Sequence, residues 1–408
     1  MRQEQTRVRS GADPWLVIGC GCLLAFLSFG PRASLGLFFA PITADNGWSR
    51  DVFSLSLALQ NLFWGLGQVF IGGVADRYGT LKVFWGGALC YGLGLTLMTV
   101  SADPLVFHLG AGALIGLGLA GASFNLVLAS FGKLLPEDKR SQAYGFGTAA
   151  SSMGQFIFAP LSVGLIASAG WQAGLLTFAA LLLLVLPLAL PLRTPPLGHA
   201  PVSGRSSIGE ALSDAARHPS FVFLVLGFFT CGFQLAFITV HLPPYLRDIG
   251  LGPEVGGWTL AMIGLFNIVG SLGAGWLGTR MPKPYLLSAI YLARSLAIIA
   301  LLVLPPSAMV SMAFGAAMGL LWLSTVPLTA GLIGVMFGTR FMATLYGIAF
   351  LSHQVGGFLG VWLGGVLYEA TGSYDSIWWG SVALGVASGL INLPIREKPA
   401  PQLQRAAA

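Results

Sequence analysis

A helix needs about 20 consecutive apolar residues to cross the hydrocarbon of a bilayer, and this chain repeats such a stretch from one end to the other. Apolar runs occupy residues 14–38, 52–74, 81–100, 105–131, 142–167 and 171–192. After a polar interval at 193–219 they resume at 220–243, 256–278, 284–304, 308–332, 341–367 and 374–394. The composition agrees. Only 9% of residues are charged and the mean hydropathy is +0.79, whereas a soluble domain carries about 25% charge to cover its wetted surface. The expectation is an all-α integral membrane protein of twelve spans.

Loop charges set the expected orientation. Of 21 Lys and Arg residues, those outside the spans gather on one side, among them Arg77, Lys82, Lys133, Arg140, Arg217, Arg280, Arg340 and Arg396. The opposite side has only Arg50 and Arg247, and Arg32 and Arg294 lie inside spans. Under the positive-inside rule both termini are cytoplasmic. The formal charge of +6 is therefore an orientation signal and not a basic face for nucleic acid. The absence of any Asn-x-Ser/Thr acceptor fits a bacterial inner membrane, and no small-residue cleavage site follows the first apolar run, so no removable signal peptide is expected.

The interval at 193–219 holds Pro195, Pro196, Pro201 and Gly204, then an amphipathic stretch from Ile208 to Arg217. It reads as a cytoplasmic linker with a short surface helix, joining a first six-helix bundle (1–192) to a second bundle and tail (220–408). Internal similarity supports the halves: Gly72, Asp76, Arg77 and Gly79 have a worn counterpart around Gly275, Thr279 and Arg280. A two-half repeat is the plan of many carriers that rock around a midplane site. The four cysteines, Cys20, Cys22, Cys90 and Cys231, all fall in apolar stretches without metal-ligand company. They read as small hydrophobes, and neither a metal nor a cofactor is expected.

The pattern Gly72-x-x-x-Asp76-Arg77-Tyr78-Gly79 between spans 2 and 3 resembles the loop motif of the major facilitator superfamily, in which it acts as a conformational latch. Within that superfamily the chain is similar to a bacterial branch of the monocarboxylate transporters. The similarity rests on Gly30-Pro31-Arg32 ahead of Phe38-Phe39, on Asp45-Asn46-Gly47-Trp48 in the first outer loop, and on Gly154, Ala159-Pro160-Leu161 and Gly170-Trp171 in spans 5 and 6. Arg32 stands where the family has a lysine. In span 8, Asn267 and Ser271 stand where the animal carriers have an Asp and an Arg.

Ionisable groups in mid-span are costly and mark function by default. No Asp or Glu lies centrally in any span, while Arg32, Arg294, His241 and His353 are inside or near one. Cations without carboxylates favour an anion, and a guanidinium suits a carboxylate. Arg32 is the first candidate to bind it. His353, in the polar triplet Ser352-His353-Gln354, and Arg294 are candidates for proton coupling. Asn125, Tyr144, Gln234, Asn267 and Tyr346 are candidate polar contacts for a small hydroxy or keto acid, and each can equally bond between helices. No phosphate loop and no nucleophile–base pair points to an ATPase or an enzyme. The expected function is proton-linked transport of a small organic anion such as lactate or pyruvate, with export of amphipathic compounds as the alternative. The expected partners are the substrate anion, the proton and the lipid bilayer.

Overall fold

The computed structural model describes residues 13–194, 208–338 and 342–400, and among these the chain is helical, without a strand. Helix α1 runs Pro14–Asn46 and passes through a tighter turn at Leu35–Phe38. It is followed by α2 (Arg50–Tyr78), α3 (Thr80–Val100), α4 (Pro104–Leu134) and the long α5 (Glu137–Leu182). A short helix α6 (Ile208–Ala216) precedes α7 (Pro219–Asp248), α8 (Pro253–Leu277), α9 (Lys283–Val303), α10 (Ala308–Phe337), α11 (Met342–Thr371) and α12 (Asp375–Asn392). Nine helices among the described residues are long and apolar enough to cross a membrane. The linker residues 195–207 lie outside the described residues.

Local chemistry explains where the helices start and turn. Asp13 and Asp103 accept from the N–H of Trp15 and Leu105, with prolines 14 and 104 in the first turn, which has no amide hydrogen bond to lose. Gly170, at φ +84°, interrupts α5, and only a residue without Cβ takes that conformation cheaply. Two helices are broken near mid-depth at matching places: α4 at Ala122–Ser123 and α10 at Trp322–Ser324. Ser123 re-caps its helix on the Leu126 N–H at 3.2 Å.

Two apolar clusters result. One is built almost wholly from residues 17–192, with Ala236, Val240 and Val361 added; the other from residues 215–395, with Leu37 and Ala159 added. The exchanged residues mark where the halves interlock. There α2 crosses α11, α5 crosses α8, and α1 meets α7. Glycines allow these approaches: a Cβ on Gly36 would strike the Thr239 carbonyl, and one on Gly264 would strike the Phe156 backbone. The named contacts run from mid-depth to the end of the molecule that carries the Gly47 turn. The opposite end carries the Gly79 turn.

Candidate functional site

Halfway along α1, Pro31 occupies a helix interior, and Arg32 follows it. The half-buried guanidinium donates from Nη2 to Asn61 Oδ1 of α2 at 2.7 Å and lies 5.3 Å from the Trp64 ring centroid. Its buried Nε has no acceptor among the described residues. Asn61 is itself fixed, donating to the Leu57 carbonyl at 2.9 Å, and its amide is packed on Gly357 of α11. Arg32 thus has a neutral amide for company and no carboxylate. A guanidinium carries five N–H donors, and this one spends few of them on protein.

The other half supplies the facing wall. Phe350 of α11 packs edge-on against Trp64 at 5.6 Å and stacks on His353 at 5.9 Å. His353 is half-buried, lies beside Phe228 of α7, and has its Nδ1 3.1 Å from Gln354 Oε1. Its main chain presses on Gly232, where any larger residue would collide with it. Tyr346, half-buried, flanks the same Phe228 a turn or two nearer the Gly79 end. Arg32 and His353 are thus connected across the α2–α11 crossing by the rings of Trp64 and Phe350.

Arg294 and His353 both neighbour the Cys231 thiol, which meets Thr325 at 3.3 Å. Arg294 is 0% exposed and donates to the carbonyls of Leu321 (2.6 and 3.2 Å) and Trp322 (2.5 Å), so it caps the break in α10. Asn267 is buried with both amide atoms engaged by protein: it donates to Ser152 Oγ at 2.9 Å and accepts from the Leu323 N–H at 3.0 Å. It ties α5 to α8 across the halves. Gln234 donates to the Ser381 carbonyl at 3.1 Å, inside the second half and facing α12. Asn125 is half-buried just beyond the break in α4, and Tyr144 is exposed with its hydroxyl near Gly132. Of the latch motif, Arg77 is exposed over the Tyr78 ring and Gly79 turns the chain at φ +84°. Gly72 and the side chain of Asp76 lie outside what the structure describes.

Sequence reasoning missed a second site at the Gly47 end. Arg50, at the start of α2, grips Asp248 of α7 with two bonds of 2.7 Å, donates to Tyr374 at 3.0 Å and covers the Tyr368 ring at 3.8 Å. Its main-chain N–H donates to Glu369. Behind it, buried His241 bonds the Val361 carbonyl at 2.8 Å through Nε2, leaving Nδ1 to accept from the Tyr374 hydroxyl at 3.2 Å. The Tyr374 hydroxyl thereby links Arg50 to His241. A cavity of about 350 Å³ lies here, lined by Thr43, Trp48, Arg50, Pro244, Asp248 and Glu369. Arg50 and Asp248 are 198 residues apart. The signal that could have found them was charge: each stands at a span end on the side nearly devoid of cations.

A fold of apolar helices in two interlocked clusters, with a lone arginine at their meeting, is the setting in which comparison becomes informative. The family model of the Major Facilitator Superfamily matches residues 21–361. The chain belongs to this superfamily. It is accordingly a multi-pass membrane protein of the transporter class. An uncharacterised MFS-type transporter of Bacillus subtilis, YcxA, is 28% identical over 354 residues, covering 84% of this chain and 85% of that protein. Monocarboxylate transporter 13 of Bos taurus is 27% identical, with 94% and 90% covered. Monocarboxylate transporter 11 of Homo sapiens is 26% identical, with 94% and 83% covered. This superfamily member thus resembles monocarboxylate transporters along nearly its whole length, beyond the first six spans in which its motifs are clearest.

Proposed function

We propose that the protein is a proton-coupled secondary transporter of small organic anions, of the lactate and pyruvate kind, working by alternating access in a bacterial inner membrane. The observation that carries this reading is Arg32, half-buried at mid-span with an uncharged amide as its side-chain partner. A cation kept at that depth without a protein counter-ion is suited to a carboxylate that comes and goes. The names of the monocarboxylate-transporter relatives point the same way. His353, across the α2–α11 crossing, is the proposed proton carrier, since no carboxylate stands near mid-span.

In this reading the chain crosses the membrane twelve times. The Gln142–Leu188 run counts as two crossings divided at Gly170, and Arg50–Tyr78 and Asp375–Asn392 join the remainder. The halves are residues 1–192 and 220–408, joined by the 193–219 linker, and the Gly79 end is cytoplasmic by its loop charge. The contacts at the Gly47 end then seal the outer side, as expected of an inward-facing carrier, with the Gly72–Gly79 motif latching the alternative state.

The test is uptake of labelled lactate and pyruvate into proteoliposomes, with and without an inward proton gradient. Gradient-stimulated uptake is expected. Absence of flux for every short carboxylate tried would remove the substrate assignment. Export of amphipathic compounds draws on the aromatic wall of Trp64 and Phe350; it predicts dye efflux that is unchanged by Arg32→Gln.

A further inference from the structure

Gln354 is 1% exposed, in the middle of α11. Its stem lies against Gly65 of α2, where any Cβ would come within 2.7 Å of its own, so the two helices approach as closely as backbone allows. Its amide oxygen meets His353 Nδ1 at 3.1 Å. Its amide nitrogen is buried without an acceptor among the described residues. Trp64 Nε1, on the residue before Gly65, and Arg32 Nε, beside Trp64, are orphaned in the same way. The orphan acceptors on this face are Gln68 Oε1, one turn nearer the Gly79 end, and the Tyr91 hydroxyl beside Arg32, which can also donate.

Buried donors without acceptors are uncommon because each costs the desolvation of its N–H. Three of them, from α1, α2 and α11, flank one turn of α2. Their shared chemistry is the recognition of an oxyanion, and they come from both halves of the molecule. From this geometry we infer that Gln354 is a substrate-binding residue: its Nε2 donates to the anion held by Arg32, while its Oε1 orients the imidazole of His353. The inference rests on the reading of Arg32 as a carboxylate clamp and adds a contact from the second half. It makes one side chain report the presence of the anion to the proposed proton carrier. The rival role, a glutamine that glues α2 to α11, involves no anion.

The test uses the full-length protein in proteoliposomes, with labelled L-lactate as the probe. Gln354→Leu removes donor and acceptor; Gln354→Glu keeps an oxygen for His353 but sets a negative charge where the anion binds. For Gln354→Leu the KM is expected to rise about tenfold with Vmax within about twofold, the loss of one hydrogen bond to a charged group. Gln354→Glu is expected to raise KM further, toward a hundredfold. Thermal unfolding identifies a Leu variant that has lost its fold, and Gln354→Glu then decides alone. Wild-type KM in a folded Gln354→Glu variant, with KM raised in Arg32→Gln, overturns the role of Gln354 and leaves the clamp standing. Wild-type KM in Arg32→Gln, or no lactate flux in the wild type, overturns the clamp and this inference with it.

Discussion

Arg32 and Arg294 both stand inside apolar helices, yet their surroundings differ in kind. Arg294 is wholly enclosed; its Nε and Nη2 donate to main-chain carbonyls at the break between Leu321 and Ser324, and its Nη1 is buried without an acceptor among the described residues. Those carbonyls have lost their helical partners, and the guanidinium satisfies them. Arg32 is half-buried and bonds a single side-chain amide oxygen in place of main-chain carbonyls; it too keeps a buried N–H free. The first is a helix cap that happens to be charged. The second is a cation with unspent capacity at the meeting of the two halves. Depth alone makes both functional suspects; acceptor identity separates them. The matching break in α4 is closed differently, by Gly87 packing directly on Gly121 and Ala122.

The sharpest way to break this comparison is to remove Arg294. Arg294→Met leaves the Leu321 and Trp322 carbonyls orphaned inside the protein, and a loss of about 3–5 kcal/mol of stability is expected by analogy with breaking a buried pair. The readout is thermal unfolding in detergent. Folded Arg294→Met protein of wild-type stability but without transport would move Arg294 from the scaffold to the mechanism.

Arg32→Gln should do the reverse. It keeps a hydrogen-bonding partner for Asn61 and removes the charge, so unfolding should change little. The KM for the anion should rise about a hundredfold, about 2.7 kcal/mol, as for a lost guanidinium–carboxylate pair. Arg32→Lys should recover part of this, because a lysine keeps the charge but not the paired N–H geometry. A fall in stability without any change in KM would make Arg32 a structural residue like Arg294.

Much of the architecture is legible in the sequence because it is written in local terms: apolar run length, proline and aspartate at helix starts, glycine at turns, cations in loops. The expected helix at 208–217 is α6, Ile208–Ala216. The site is less legible because side-chain partners are not local. Two arginines in apolar runs look alike in sequence, and nothing near residue 294 announces the broken carbonyls 27 residues later. Gln234 and Asn267 read as cavity polars, yet the fold turns one toward α12 and holds the other between Ser152 and Leu323. Gln354 was visible as part of a polar triplet, but its meaning depends on Gly65 across the interface. Asn61 gave no signal beyond being a polar residue in an apolar run.

Arg50 offers a third kind of acceptor, a carboxylate, and the smallest expected effect. The Arg50–Asp248 pair is geometrically good, but its side chains are 23% and 30% exposed, and ion pairs of that exposure contribute about 1 kcal/mol or less. Arg50→Gln should therefore loosen the Gly47 end without unfolding the protein. In a cysteine-free background, Thr43→Cys places a thiol on the adjoining cavity. Its labelling by a membrane-impermeant maleimide should speed up about fivefold when Arg50→Gln is added, the shift of a two-state opening equilibrium by that energy. Equal labelling rates with and without Arg50→Gln would mean that the seal is held by backbone packing at Gly36 and Gly365, with the ion pair merely lying across it. The three arginines would then rank by the cost of leaving their acceptors alone: carbonyls in the interior, an absent anion at mid-depth, and a carboxylate that water can serve as well.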